Sequence, residues 1–182
     1  MSLTVGKTFP ADIAVHSARG TLRLSDMLGD GPLIVAFHRL WCPFCQEAAR
    51  ELAAAKDEFD AHGARVVIVY RENVDFVLRA CTRRGTPFDC VCDPAGELMA
   101  AAGVERFSIG RYWAFSPRKL VNALRSGSRV GKATTELLQG RATFVLDGNA
   151  RVVYAHTSVN AADIPPIRDI VAAVQSVTQA TR

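Results

Sequence analysis

The chain has 182 residues, 49% of them hydrophobic and 22% charged, which is enough for one domain with a real core and excludes a disordered polypeptide. Its net charge of +4 is spread along the chain, with like-charge runs no longer than pairs such as Arg83-Arg84 and Arg118-Lys119, so no nucleic-acid partner is expected. The longest apolar stretches, PLIVAF and VVIVY, fall far short of the roughly 20 residues that span a bilayer, and no membrane association is expected.

In chain order, DIAVHSARGTLRLSDML reads as a small hairpin followed by a helical turn capped at Ser25. Leu33 to Phe37 is an apolar, β-branched run, the mark of a buried strand. A helix is predicted from about Pro43 to His62. Pro43 suits the first helical position, Phe44, Ala48, Leu52, Ala55 and Phe59 share one face, and Gly63 ends it. Arg65 to Tyr70 is the next strand, and strand–helix–strand demands parallel pairing with a right-handed crossover.

A helix over Val74–Arg84, a short strand FDCVC, a turn at Asp93-Pro94 and a helix near Glu97 to Ala102 follow. Residues 109–139 are the least legible. SPRKLVNALRSG reads as a helix opened by Ser116 and Pro117, and the rest of that stretch as loop. RATFVLDGNARVVYAHT holds two β runs around Asp147-Gly148-Asn149, a strong hairpin signal, and a last helix covers about Ile167 to Thr178. The order describes a single α/β domain over residues 1–182, a central mixed β-sheet flanked by helices.

Five cysteines is an odd number, and a chain of this size does not depend on disulfides. The opening MSLTVGKTFPADI lacks a basic region leading into an apolar one, so no signal peptide is expected. A reduced, cytoplasmic setting fits, where a close cysteine pair points to redox or metal chemistry. Cys42 stands where the first core strand gives way to the helix, at the N-cap, with Cys45 one turn in on the same face. Both lie at the positive end of the helix dipole, which favours thiolate, and Arg39 adds a fixed charge three residues before Cys42. The plainer account is two small buried hydrophobes.

A metal site would need Cys42, Cys45, Cys90 and Cys92, with His38 or His156 standing in. Cys90 and Cys92 alternate within a strand and form no chelating turn, so neither metal nor cofactor is expected. Those two read as strand packing or as resolving thiols, and Cys81 as a core residue of its helix. Trp41 is expected to shield the site or shape access to it, and His38 to tune the thiols as a proton carrier.

VAFHRLWCPFC followed by a helix, with RATFVLD and a hairpin later, resembles the thioredoxin-like superfamily. More narrowly, the chain resembles peroxiredoxin-like AhpC/TSA proteins with a Cys-x-x-Cys motif. Its opening, GKTFPADIAVHSARGTLRLSDMLGDGPLIVAF, is similar to the peroxiredoxin N-terminal extension. The resemblance implies a thioredoxin-like fold and a thiol-dependent peroxidase acting on hydrogen peroxide or small alkyl hydroperoxides.

Laid on the family's Pro-x-x-x-Thr/Ser-x-x-Cys motif, the peroxidatic position falls on Cys45 and the distant arginine on Arg141. His38 replaces the proline and Cys42 the hydroxyl residue that in the family holds the peroxide oxygens. Helix geometry makes Cys42 the exposed nucleophile, whereas the superposition makes it Cys45, with Cys42 resolving the sulfenic acid; the second order is preferred. Either order ends in a Cys42–Cys45 disulfide that an external thiol must reduce, whether thioredoxin-like, glutaredoxin-like or of low molecular weight. Arg39 and Arg141 would stabilise the thiolate and the departing oxygen.

The alternatives are a thioredoxin- or glutaredoxin-like thiol–disulfide oxidoreductase and a non-enzymatic redox sensor. WCPFC suits the former, but Ala142 stands where those families place a cis-proline. Related proteins often pair, so a homodimer is compatible with the chain.

Overall fold

The computed structural model describes residues 3–132 and 138–180. A hairpin, β1 (Ala14–Ser17) and β2 (Gly20–Arg23), precedes a 3-10 turn over Leu24–Met27. That turn is capped from Arg23, whose backbone N–H donates to Asp26 at 3.0 Å, and not from Ser25. β3 (Leu33–Phe37), α1 (Pro43–Ala54), α2 (Lys56–Ala61) and β4 (Arg65–Tyr70) form the predicted crossover unit, with β3 and β4 parallel.

α3 (Val74–Arg84) runs from the Asn73 cap to Gly85, whose φ of 61° is a left-handed stop that glycine reaches without strain. β5 (Asp89–Cys92), α4 (Glu97–Ala101), α5 (Ile109–Trp113), α6 (Pro117–Arg125), the hairpin β6 (Ala142–Leu146) and β7 (Val152–Thr157), and α7 (Ile167–Ala180) complete the chain. The sheet has seven strands in the order β2-β1-β5-β4-β3-β6-β7. Its central strands β5, β4 and β3 are parallel, and the flanking ones antiparallel. The fold is the mixed α/β, thioredoxin-like one that the sequence implies.

Because side chains alternate across a strand, β3 feeds two cores. Val35 and Phe37 pack with Phe9, Phe144 and Leu98 on one face, and Ile34 and Ala36 with Leu52, Phe59, Val145 and Ile170 on the other. Both faces are covered, which is why β3 is apolar throughout. Among the described residues no helix is long and apolar enough to cross a membrane.

Two features differ from expectation. The helix predicted over 43–62 is broken at Ala55 (φ −93°, ψ 10°), where the chain tightens before α2. Leu52, Ala55 and Phe59 all remain in one core across the break. The apolar spacing therefore continues through it and hides it. Cys81 and Cys90 are not independent core residues but form a disulfide joining α3 to β5.

The start of β3 is held against the turn that precedes β4. A Cβ added at Gly31 would lie 2.1 Å from the Gly63 carbonyl oxygen, a backbone atom that cannot swing aside. Gly31→Ala is therefore expected to lower stability by about 1–3 kcal/mol. Chemical denaturation checks this, and an unchanged midpoint would contradict it.

Candidate active site

β3 delivers its C-terminal residues to the start of α1. His38 continues the strand for one step, its backbone N–H donating to Val69 O at 2.9 Å. The chain then turns through Arg39, Leu40 and Trp41 to Cys42, the N-cap of α1 (φ −82°, ψ 121°), with Pro43 at the first helical position. Leu40 N–H donates to the buried Glu72 Oε1 at 3.0 Å, tying this turn to the segment after β4. Cys45 sits in the first turn of α1, where free backbone N–H groups favour a negative sulfur.

The antiparallel register brings in the distant arginine. Ala36 pairs with Thr143, so Arg141, two residues before Thr143, arrives beside His38, two residues after Ala36. Its Nη1 lies 3.4 Å from Cys45 Sγ and its Nη2 donates to Asp163 O at 2.7 Å. Asp163 is itself fixed: its carbonyl accepts from Ser158 Oγ at 2.8 Å and its carboxylate from Val159 N–H at 2.7 Å. Arg39 Nη2 lies 3.7 Å from Cys42 Sγ. The Arg39 guanidinium also lies 4.7 Å from the Trp41 ring centre and 5.5 Å from that of Tyr112, within cation–π range. Each cysteine thus has its own arginine.

Both arginines are buried, Arg39 at 0% and Arg141 at 4% exposure, so neither is a solvated surface charge. Cys42 and Cys45 are buried as well, at 1% and 2%, and the expectation of an exposed Cys42 is not met. The cause is a cover. Trp41, Phe44, Phe107, Tyr112 and Ala123 close over the pair in one apolar cluster to which α5 and α6 contribute. Phe44 meets Phe115 edge-on, with ring centres 5.1 Å apart. The stretch 109–139, as far as it is described, is therefore a lid over the site as well as a loop. Its residues 133–137 lie outside the described residues.

Electrostatics separates the two sulfurs. Burial pushes the Cys45 thiol up, but the Cys42 thiol donating to it and the charges of Arg141 and Arg39 outweigh this and hold it well below the ordinary thiol value. Cys42 is raised, first by donating that hydrogen bond to Cys45 and then by burial. The environment thus favours negative charge on Cys45 over Cys42.

His38, buried against Cys45, is lowered to about 4, chiefly by burial, and is neutral at pH 7. In an unfolded chain its value returns to about 6.5. Between those values the unfolded chain binds a proton that the folded one does not. Stability should therefore fall as pH drops from about 6.5 to about 4, by roughly 3 kcal/mol. His38→Gln should remove that slope, read as denaturation midpoints at pH 7 and 4.5; an equally steep slope in the variant would dismiss it.

All six residues singled out from the sequence, His38, Arg39, Trp41, Cys42, Cys45 and Arg141, meet at this one place. Tyr112, Glu72 and Asp163 were not anticipated. Glu72 follows β4 at the same sheet edge as Arg39, a clue available once β3 and β4 are paired. Tyr112 and Asp163 come from segments without a periodic signal. Cys92 is buried in its strand, packed in a core cluster with Ile68 and Val77, and burial pushes its thiol up to about 12.

The AhpC/TSA family profile matches residues 5–155. No curated protein sequence matches the chain. Among solved structures it is similar to the peroxidoxin BcpB of Mycobacterium tuberculosis, at 20% identity and a TM-score of 0.69, with 96% of this chain and 98% of that one covered. It is similar also to the bacterioferritin comigratory protein of Xanthomonas campestris, a protein described by its alkyl peroxide reduction activity, at 18% identity and a TM-score of 0.67, with 98% and 100% covered. The peroxiredoxin 6 of Arenicola marina, in a C45S mutant, aligns at 16% identity and a TM-score of 0.70, with 100% and 76% covered. With most of its length inside one family profile, the chain belongs to the AhpC/TSA family.

Proposed function

We propose that the protein is a thiol-dependent peroxidase that reduces hydrogen peroxide or small alkyl hydroperoxides, with Cys45 as the attacking sulfur. One observation carries this reading: the buried Arg141 guanidinium lies 3.4 Å from the Cys45 sulfur. The Cys45 thiolate attacks one peroxide oxygen, the O–O bond breaks, and Cys45 becomes a sulfenic acid. The departing oxygen takes the proton of the Cys42 thiol and leaves as alcohol or water. Cys42, now a thiolate, attacks the Cys45 sulfur, and hydroxide leaves to become water. Two external thiols then reduce the Cys42–Cys45 disulfide.

Arg141 and Arg39 serve by meeting negative charge on sulfur and oxygen in a site that excludes water, where such charges act strongly. The thiol of Cys42 stands where the family pattern has a hydroxyl, so one group both hydrogen-bonds the nucleophile and later resolves it.

Catalytic peroxide consumption with dithiothreitol, set against acceleration of insulin reduction, tests the reading. Peroxide turnover well above that of dithiothreitol alone, with little effect on insulin, is expected. The reverse pattern would replace it with a disulfide oxidoreductase, and a disulfide formed once without turnover would indicate a sensor.

A further inference from the structure

A recess beside the site lies between α1 and the end of α3. It is a cleft of about 620 Å³ whose wall includes Cys45 and the buried Arg39. Arg50 of α1, Arg83 and Arg84 at the end of α3, and Arg129 beyond α6 join them among neutral and apolar residues, and no acidic residue contributes to the lining. Among the described residues no carboxylate forms an ion pair with Arg50, Arg83, Arg84 or Arg129.

Two of these arginines are fixed by neutral partners. Arg84 Nη2 donates to Leu40 O at 2.8 Å, and Arg50 Nη2 donates to Ser128 Oγ at 2.8 Å and Ser126 Oγ at 3.1 Å. Arg129 is placed through its backbone, which exchanges hydrogen bonds of 2.9 and 3.0 Å with the Gln46 side chain. Arg83 and Arg84 leave α3 just after Cys81, whose disulfide to Cys90 closes the loop that follows. The positive side chains are therefore held around the cleft by the fold, with no carboxylate in its lining.

Hydrogen peroxide is neutral and needs no such setting. A concave pocket of this size with several guanidinium groups suits a small molecule carrying carboxylates, which arginine binds with two parallel hydrogen bonds. We propose that this cleft binds a small molecule with two or more negative charges, chiefly carboxylates, and brings its reactive group to the Cys42–Cys45 pair. The inference rests on the peroxidase reading and names the class of its second substrate or of its preferred hydroperoxide.

As reductant, such a ligand is an acidic thiol. Its thiolate attacks the Cys42–Cys45 disulfide, forming a mixed disulfide and releasing the other cysteine as thiolate. A second thiol molecule attacks the ligand sulfur of that mixed disulfide, releasing the remaining cysteine. Two thiols become one disulfide, the protein disulfide becomes two thiols, and two protons pass from the former to the latter. As substrate, the ligand is a carboxylate-bearing hydroperoxide reduced by the steps given above.

The test compares charged and neutral forms of one reactant in two arms, with native protein and an Arg83→Gln/Arg129→Gln variant. In the thiol arm, the Cys42–Cys45 disulfide is made with diamide, and its reduction by glutathione and by glutathione diethyl ester is followed by alkylation and mass of the Cys45 peptide. No peroxide enters this arm, so it reads the cleft even if the peroxidase reading fails. In the hydroperoxide arm, the hydroperoxide of a dicarboxylic acid and its dimethyl ester are reduced with dithiothreitol as the thiol.

Each result is a ratio of rates, charged over neutral, which a general loss of activity does not move. A native ratio of about ten or more, falling towards one in the variant and in about 0.5 M salt, is expected in one arm. The thiol arm would then identify the ligand as reductant, and the hydroperoxide arm as substrate. A native ratio near one in both arms, or a ratio unmoved by the variant, would overturn the proposal.

Discussion

Cys45→Ser is expected to consume peroxide no faster than dithiothreitol alone, a loss of at least about 10³-fold, because it removes the attacking sulfur. Cys42→Ser should behave differently. Its Cys45 still has Arg141 at 3.4 Å, so the first oxidation proceeds, but nothing within reach resolves the sulfenic acid. The variant should form a sulfenic acid that dimedone captures, and should turn over only as fast as dithiothreitol reduces that acid directly. Native protein should show little capture, because Cys42 lies one helical turn away and closes the disulfide first. The opposite pattern, activity kept in Cys45→Ser and lost in Cys42→Ser, would hand the attack to Cys42. Arg39, 3.7 Å from the Cys42 sulfur, would then be its partner.

Arg141→Met should cost about 10²–10³-fold in kcat/KM for peroxide, the usual scale for removing one charged group aimed at developing charge. Two effects add. The thiol of Cys45 loses the nearest of the charges that oppose its burial, so it rises and less thiolate is present at pH 7. The departing oxygen also loses a donor. The first effect has a signature of its own: the pH profile of the variant should move to higher pH, and raising the pH should recover part of the loss. Because Arg141 is also bonded to the Asp163 carbonyl, circular dichroism should accompany the kinetics to separate a vacant position from a shifted loop. A variant with the native pH profile would remove Arg141 from the account of the thiolate.

How far the sequence could be read follows from which signals are local. β3 and β4 are continuous apolar runs bounded by glycine and polar residues, and both were placed correctly because burial on two faces leaves no polar alternation to misread. α3 lies where the sequence places a helix, from about Val74 to Arg84, and an asparagine cap and a glycine stop mark its ends. The Cys42–Cys45 pair and Arg39 are local in sequence, and Arg141 was reached by its place before a strand.

The break at Ala55 was missed because a change in one ψ angle leaves apolar spacing intact. α5 was missed because its five residues, IGRYW, are too few for a periodicity. The burial of Cys42 escapes the helix-geometry argument for the same reason: the cover comes from α5 and α6, and no pattern in PFCQEA announces what will fold over it. The Cys81–Cys90 disulfide depends on how α3 packs against β5, a tertiary fact that residue spacing does not contain.

The clasp between Gln46 and the backbone of Arg129 has a consequence for how the molecule opens. Gln46 is the residue after Cys45, and its side chain also donates to Leu40 O at 3.1 Å. Nearby, Gly131 N–H donates to Trp41 O at 3.1 Å and Arg50 holds Ser128. The first turns of α1 and the irregular segment around 128–131 are therefore bolted together through four separate bonds across 78 or more positions of sequence. Neither can detach alone without breaking all of these bonds at once. In amide hydrogen exchange the two should behave as one cooperative unit, losing protection together, although one is a helix and the other has no regular structure. The reactive turn thus shares its local stability with a distant part of the chain.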